Sequence, residues 1–170
     1  PSSKEKNHEV QESTQFFQFC TGACNLVKIE PFLKRGYFWD PNIIHGYGDD
    51  FDTTFFLRQH GKVGVINTAY VFHFINASFN KLKREMTYAK EMLKFWNRMY
   101  VVNKWEKELK NEVSKLSLEE FIELSSTSGV LADFSLWLAI KQNYPNVKEW
   151  ITTLPAKKYA GVLGIYPNGK

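Results

Sequence analysis

The spacing of apolar residues changes near Lys81, and no other feature limits the fold as strongly. Upstream, Val63 and Val65 alternate, then Ala69, Val71, His73 and Ile75, with Tyr70, Phe72 and Phe74 on the opposite face. Side chains of a strand point alternately to its two faces, so a period of two predicts two strand segments separated by Asn67-Thr68. Downstream the period is 3.6. Leu82, Met86, Ala89, Leu93, Trp96 and Tyr100 form one stripe, and Trp105, Leu109, Val113 and Leu116 continue it with a shift of phase. Such a stripe is the buried face of a helix, and core packing explains its Met and Trp residues. Its length requires a bend, expected near Val102 or Trp105. A chain of 170 residues carrying both periods has room for one substantial core and not for two ordinary domains.

The remaining boundaries follow from punctuation. Residues 1 to 14 are polar and aperiodic and read as a mobile lead-in, followed by a strand-like aromatic run from Phe16 to Phe19. Pro31 suits the first turn of a short helix that ends near Arg35, with Gly36 as its stop. Ser117 and Glu120 have the spacing of a capping box. A further helix is expected from Gly129 to Asn143, stopped by Pro145, and Asn146 can cap a last turn through Trp150. Residues 154 to 170 show no period.

The chemistry concentrates in His45 to Arg58, HGYGDDFDTTFFLR. Asp49, Asp50 and Asp52 stand within four residues, approached through Gly46 and Gly48. A helix is expected to follow, with Asp52 or Thr53 as its N-cap and Gly61 just past its end. The carboxylates would then lie on a loop where glycine admits positive φ and a close ligand. Like charges this near resist ionising together unless a cation or hydrogen bonds compensate, which suits a general base or a metal site. Capping and the helix dipole alone also account for aspartates at such a place.

In its order of elements the chain resembles the second half of family-2 glycosyltransferases of the GT-A fold. The likeness runs from FCTGACNLVKIEPFLKRGYFWD through the acidic loop to VGVINTAYVFHFINASF, about residues 19 to 79. Asp49-Asp50 matches the family's acidic pair, and Asp52 and Arg58 match the polar positions that follow. Asn97, Tyr100 and Lys104-Trp105 are similar to the run that closes the domain in some bacterial members. The resemblance implies an α/β fold (α+β as a fragment), the C-terminal half of a nucleotide-diphospho-sugar transferase sheet with a helical extension. Its parts would be a lead-in at 1–15, the acceptor-side half at 16–80, a closing amphipathic helix at 81–106 and the extension at 107–170.

The implied reaction is inverting transfer of a sugar from a nucleotide-sugar donor to an acceptor hydroxyl, in glycan or polysaccharide synthesis. By resemblance Asp50 is the general base and Asp49 orients the acceptor, while Asp52 caps or supports. Gly22, Ala23, Trp39, Tyr47, Gly48 and Arg58 fall at substrate-binding positions, and His73 at a metal position for Mn²⁺ or Mg²⁺. Asp50-Phe51-Asp52 also fits the diphosphate-binding Asp-x-Asp expression, but its place after Gly22-Ala23 is that of the base loop. The nucleotide-binding half would precede these residues. On this reading either the chain is a piece of a longer polypeptide or another chain supplies the other half, and alone it is inactive, with an uncovered sheet edge that associates. The alternative is a non-catalytic carbohydrate-binding module, served equally by Tyr37, Phe38, Trp39 and Tyr47.

Charge and cysteines add little. A net charge of +4, with Lys and Arg interspersed among Glu, reads as a solvated surface and not a nucleic-acid patch. Cys20 and Cys24, four apart on an expected strand, read as buried reduced thiols. The longest apolar stretch, Val130 to Ile140, is interrupted by Asp133 and is too short to span a bilayer. With no signal peptide visible, a cytoplasmic setting is expected, including the inner face of a membrane, and the sequon Asn76-Ala77-Ser78 is read as accidental.

Overall fold

A computed structural model of the chain describes residues 10–12, 24–43, 47–66 and 85–153. Strand structure among them is confined to β1 (Val10–Glu12) and β2 (Gly64–Ile66), which pair antiparallel with Val10 opposite Ile66. The chain is otherwise mostly helical, which overturns the expected α/β sheet. The alternation at Val63 and Val65 does yield β2, but its partner comes from the polar lead-in. Three residues a side bury too little to organise a domain. The expected strands at Phe16–Phe19 and Ala69–Ile75 lie outside the described residues.

The helical signals are obeyed closely. Pro31 opens α1 (Glu30–Arg35), and Gly36 closes it in the left-handed conformation at φ 85°. α2 runs Asp49–Arg58. The long stripe becomes α3 (Glu85–Lys104) and α4 (Glu106–Val113), broken at Trp105, whose backbone leaves the helical region at φ −103° and ψ 19°. Ser117 and Glu120 form both bonds of the capping box at the start of α5 (Leu118–Thr127). Ser128 then caps α6 (Gly129–Asn143), and α7 (Val147–Thr153) follows Pro145.

Helices, not a sheet, enclose the core. Leu93, Trp96, Met99, Val101 and Val102 of α3 meet Leu109 of α4, Val130, Leu131, Phe134 and Trp137 of α6, and Val147 and Ile151 of α7. Residues after 107, expected as an extension, therefore share one core with α3. Burying each such side chain stabilises by about 1.5–3 kcal/mol, which is why the 3.6 period prevails over the short alternation. Asp133, the one charge in the apolar stretch of α6, is matched by Arg98 of α3, whose Nε donates to Oδ2 at 2.6 Å.

A second, polar nucleus fastens α1, α2 and α3 together. Asp52 is 1% exposed and accepts from Trp105 Nε1 at 2.8 Å. Its other oxygen pairs with the Arg35 guanidinium, and Lys104 Nζ lies 2.6 Å from Oδ1. The same Lys104 ammonium reaches Asp40 Oδ2 at 2.6 Å, and Tyr100 donates to that oxygen at 3.1 Å. Two carboxylates thus face two cations, so the buried charge balances. Removing one member leaves the others desolvated and unmatched, at a loss of roughly 3–5 kcal/mol. Asp52→Asn is expected to lower the unfolding free energy by that amount in urea titrations. Asp50→Asn, two residues away, is expected to change it by no more than about 1 kcal/mol.

Candidate functional site

The acidic stretch is not a loop. α2 begins at Asp49, three residues before the expected cap at Asp52 or Thr53, and Gly48 is its N-cap at φ 101°. A Cβ on Gly48 would stand 3.3 Å from Val101 Cγ2 and 3.6 Å from the Asn97 carbonyl oxygen. Glycine is therefore needed for the backbone angle and for the close approach to α3. Gly48, expected at a substrate position, is explained by this packing. Arg58 is half-buried in the last turn of α2, about 12 Å along the axis from Asp50 at 1.5 Å per residue, so the helix separates it from the acidic pair.

Helical geometry divides the three aspartates. Residues three apart share a face, which puts Asp49 on the side of Asp52, while Asp50 lies about 100° further round the helix and still close enough for its charge to act on Asp49. Asp52 is consumed by the ion-pair nucleus. Asp49 is half-buried, and its Oδ1 has no hydrogen-bond partner. Its pKa is raised from 3.8 to about 6, first by burial and next by the charge of Asp50, against opposing hydrogen bonds from the backbone of Asp49 and Asp50. A helix N-terminus by itself would lower this value. Capping and dipole therefore do not account for Asp49, whose carboxyl is pushed up to about 6 by burial and by the neighbouring charge.

Aromatic groups border the approach. Tyr47 is half-buried with Lys94 Nζ 4.7 Å above its ring. Trp39 is 45% exposed and meets Phe38 edge-on at 4.6 Å, while Phe38 stacks on Phe32 at 4.3 Å. Asp40, next to Trp39, enters the ion-pair nucleus and so links this aromatic turn to the first turn of α2. Asp40 escaped the sequence reading, although the signal was there. In Asp40-Pro41-Asn42 the carboxylate accepts from the Asn42 amide at 2.9 Å, an Asx-turn. Burial pushes the Asp40 carboxyl up, but Lys104, the Asn42 amide and Tyr100 together hold it below its ordinary range.

Gly22, Ala23 and His73, with Cys20, lie outside the described residues. Cys24 is exposed, not buried as its spacing suggested. His73, the residue expected at the Mn²⁺ or Mg²⁺, lies outside the described residues. Among them no three His, Cys, Asp or Glu side chains converge, and the oxygens of Asp40 and Asp52 are occupied by cations and N–H donors. Such hard ions want several oxygen ligands, and Asp49 with Asp50 offers two carboxylates. A cavity of about 430 Å³ lies elsewhere, between α3, α6 and α7, lined by Phe95, Met99, Ile140, Tyr144, Asn146, Val147 and Ile151. Its lining carries no carboxylate and none of the residues of the acidic stretch. No described helix is long and apolar enough to cross a membrane.

Comparison with known protein families, with curated proteins and with solved structures finds no match for this chain.

The raised pKa of Asp49 has a consequence for stability. Because the folded state holds this proton more tightly than the unfolded chain, the contribution is whole below about pH 4 and is lost as pH rises through about 6. Asn at position 49 removes the ionisation. Relative to wild type, Asp49→Asn is therefore expected to gain on the order of 1–2 kcal/mol between pH 4 and pH 7, allowing for solvent screening. Parallel denaturation curves at the two pH values measure the gain, and a constant difference would remove Asp49 as the titrating group.

Proposed function

We propose that these residues form the acceptor-side, proton-accepting part of an inverting glycosyltransferase that uses a nucleotide-sugar donor. The observation that carries the reading is the Asp49–Asp50 pair at a glycine-started helix, with Asp49 half-buried and titrating at about 6. An acceptor alcohol is a weak nucleophile until its proton is taken. In the proposed step its oxygen bonds to the anomeric carbon as the bond to the leaving diphosphate breaks, and the hydroxyl proton passes to the carboxylate pair. The resemblance gives the base role to Asp50 and acceptor orientation to Asp49, whose shared charge sets when both are ionised. Exposed Trp39 supplies a flat face on which a sugar ring stacks.

The acidic pair opens α2, and the turn carrying Trp39 is tied to the same helix through Asp40, Lys104 and Asp52. The donor nucleotide would be held by a polypeptide segment of the family's N-terminal type, so the activity belongs to the complete enzyme. A carbohydrate-binding role without catalysis would use the same Trp39 face but would have no use for a carboxylate that titrates near neutrality.

The two readings separate on turnover. In the complete enzyme, Asp50→Asn is expected to lower kcat by ~10²–10⁴-fold with donor affinity little changed. Asp49→Asn is expected to cost less and to displace the acidic limb of the pH–rate profile. Transfer at the normal rate by Asp50→Asn would take the base role from Asp50. Absence of transfer by the wild-type enzyme, with sugar binding that Trp39→Ala abolishes, would leave carbohydrate binding as the function.

A further inference from the structure

The cavity of about 430 Å³ opens where α7 folds back across α3 and the end of α6. The turn between α6 and α7 is tight. The Tyr144 amide donates to the Ile140 carbonyl at 2.8 Å, and the Val147 amide to the Tyr144 carbonyl at 3.0 Å. Residues four apart on a helix share a face, so Phe95 and Met99 of α3 stand together against Val147 and Ile151 of α7, with Ile140 of α6 as a third wall. Met99, Val147 and Ile151 are buried and make the floor. Phe95 and Ile140 are half-buried and Tyr144 is 67% exposed, so these three border the mouth.

Protein interiors contain few spaces larger than a water molecule. A dry apolar cavity of about 150 Å³ already admits benzene, and small-molecule sites begin at about 300 Å³. The space here is therefore large enough for a medium-length alkyl chain. Its polar groups are few and sit together: Tyr144 and Asn146, which carry a hydroxyl and an amide, both belong to the exposed turn, and no charged side chain lines a wall. An ionised group entering such a place would lose its hydration without gaining a counter-charge. A neutral hydroxyl can instead bond to the turn, because both side chains donate and accept. Met99 adds adaptability, since an unbranched thioether fits irregular apolar shapes.

We propose that the cavity between α3, α6 and α7 is a binding site for a small neutral amphiphile, of which a medium-chain alcohol is the simplest. Its alkyl chain lies on Met99, Val147 and Ile151, and its hydroxyl stays at the mouth beside Tyr144 and Asn146. Apolar area removed from water supplies most of the affinity, and the hydroxyl sets the direction of entry. The site uses none of the acidic-pair residues, so it stands whether or not the chain takes part in sugar transfer.

The test loads the full chain with the neutral fluorophore N-phenyl-1-naphthylamine and displaces it with 1-octanol or octanoate. 1-Octanol is expected to displace the fluorophore, and octanoate to do so at least about tenfold less well, because its charge finds no partner. Ile140→Trp fills the cavity from its half-buried wall and is expected to weaken 1-octanol binding by at least about tenfold. Ile122→Trp puts the same ring on the exposed side of α5 and is expected to leave binding within about twofold, as distant surface changes do. Should Ile140→Trp fail to fold, methyl NMR of the wild-type chain decides the matter. There 1-octanol is expected to shift the methyl signals of Met99, Val147 and Ile151 and to leave those of Val65 and Leu118 in place. No displacement by 1-octanol, equal displacement by octanoate, equal weakening by Ile122→Trp, or methyl shifts that miss the cavity would each overturn the proposal.

Discussion

Asp52 is the residue on which the arrangement of α1, α2 and α3 depends. It accepts from a guanidinium at Arg35 and from an ammonium and an indole at the adjacent Lys104 and Trp105, two segments far apart in the chain. A buried carboxylate is costly unless its charge and lone pairs are both met, and here both are. Because Asp40 shares Lys104 with Asp52, the aromatic turn carrying Trp39 is fixed to the same point. Asp49 and Asp50 inherit their position from this anchor: with Asp52 held inward, the helix sets where its two predecessors face. Of three aspartates in four residues, one is thus committed to holding the helices together.

Much of the helical layout was readable because capping and periodicity act locally. Gly36 after Pro31, the Ser117–Glu120 box and the limits of α6 depend on residues within one turn of each other, and they stand where the sequence places them. The break expected near Val102 or Trp105 falls at Trp105 for the same reason. The start of α2 was misplaced because Asp52 is a good N-cap by type. What decides the matter is the clash that any Cβ at Gly48 would make with Val101, a contact across fifty-three positions.

The error over the sheet has a related cause. A period of two states which residues share a face, but it does not state that enough strands exist to cover that face. Val63 and Val65 fulfil the pattern, and the resulting strand stops after three residues. The apolar burial went instead to α3 and the helices after it, whose stripes find one another over long separations. Of the site, the acidic pair was visible as a motif, while Asp40 and the raised pKa of Asp49 were not. Burial and the company of other charges arise only when distant segments meet.

The break at Trp105 has one more implication. Lys104 and Trp105 face Asp40 and Asp52, while Glu106, the next residue, faces Lys110, Lys141 and Lys148. Three consecutive side chains therefore serve two polar centres from one backbone segment. Each residue turns a helix by about 100°, so adding or deleting a single residue here would swing every side chain of α4 off its partners. Substitutions at the exposed lysines leave that phasing alone. Length, more than composition, is the property this junction cannot vary: it is an indexing point between the front and back halves of the molecule.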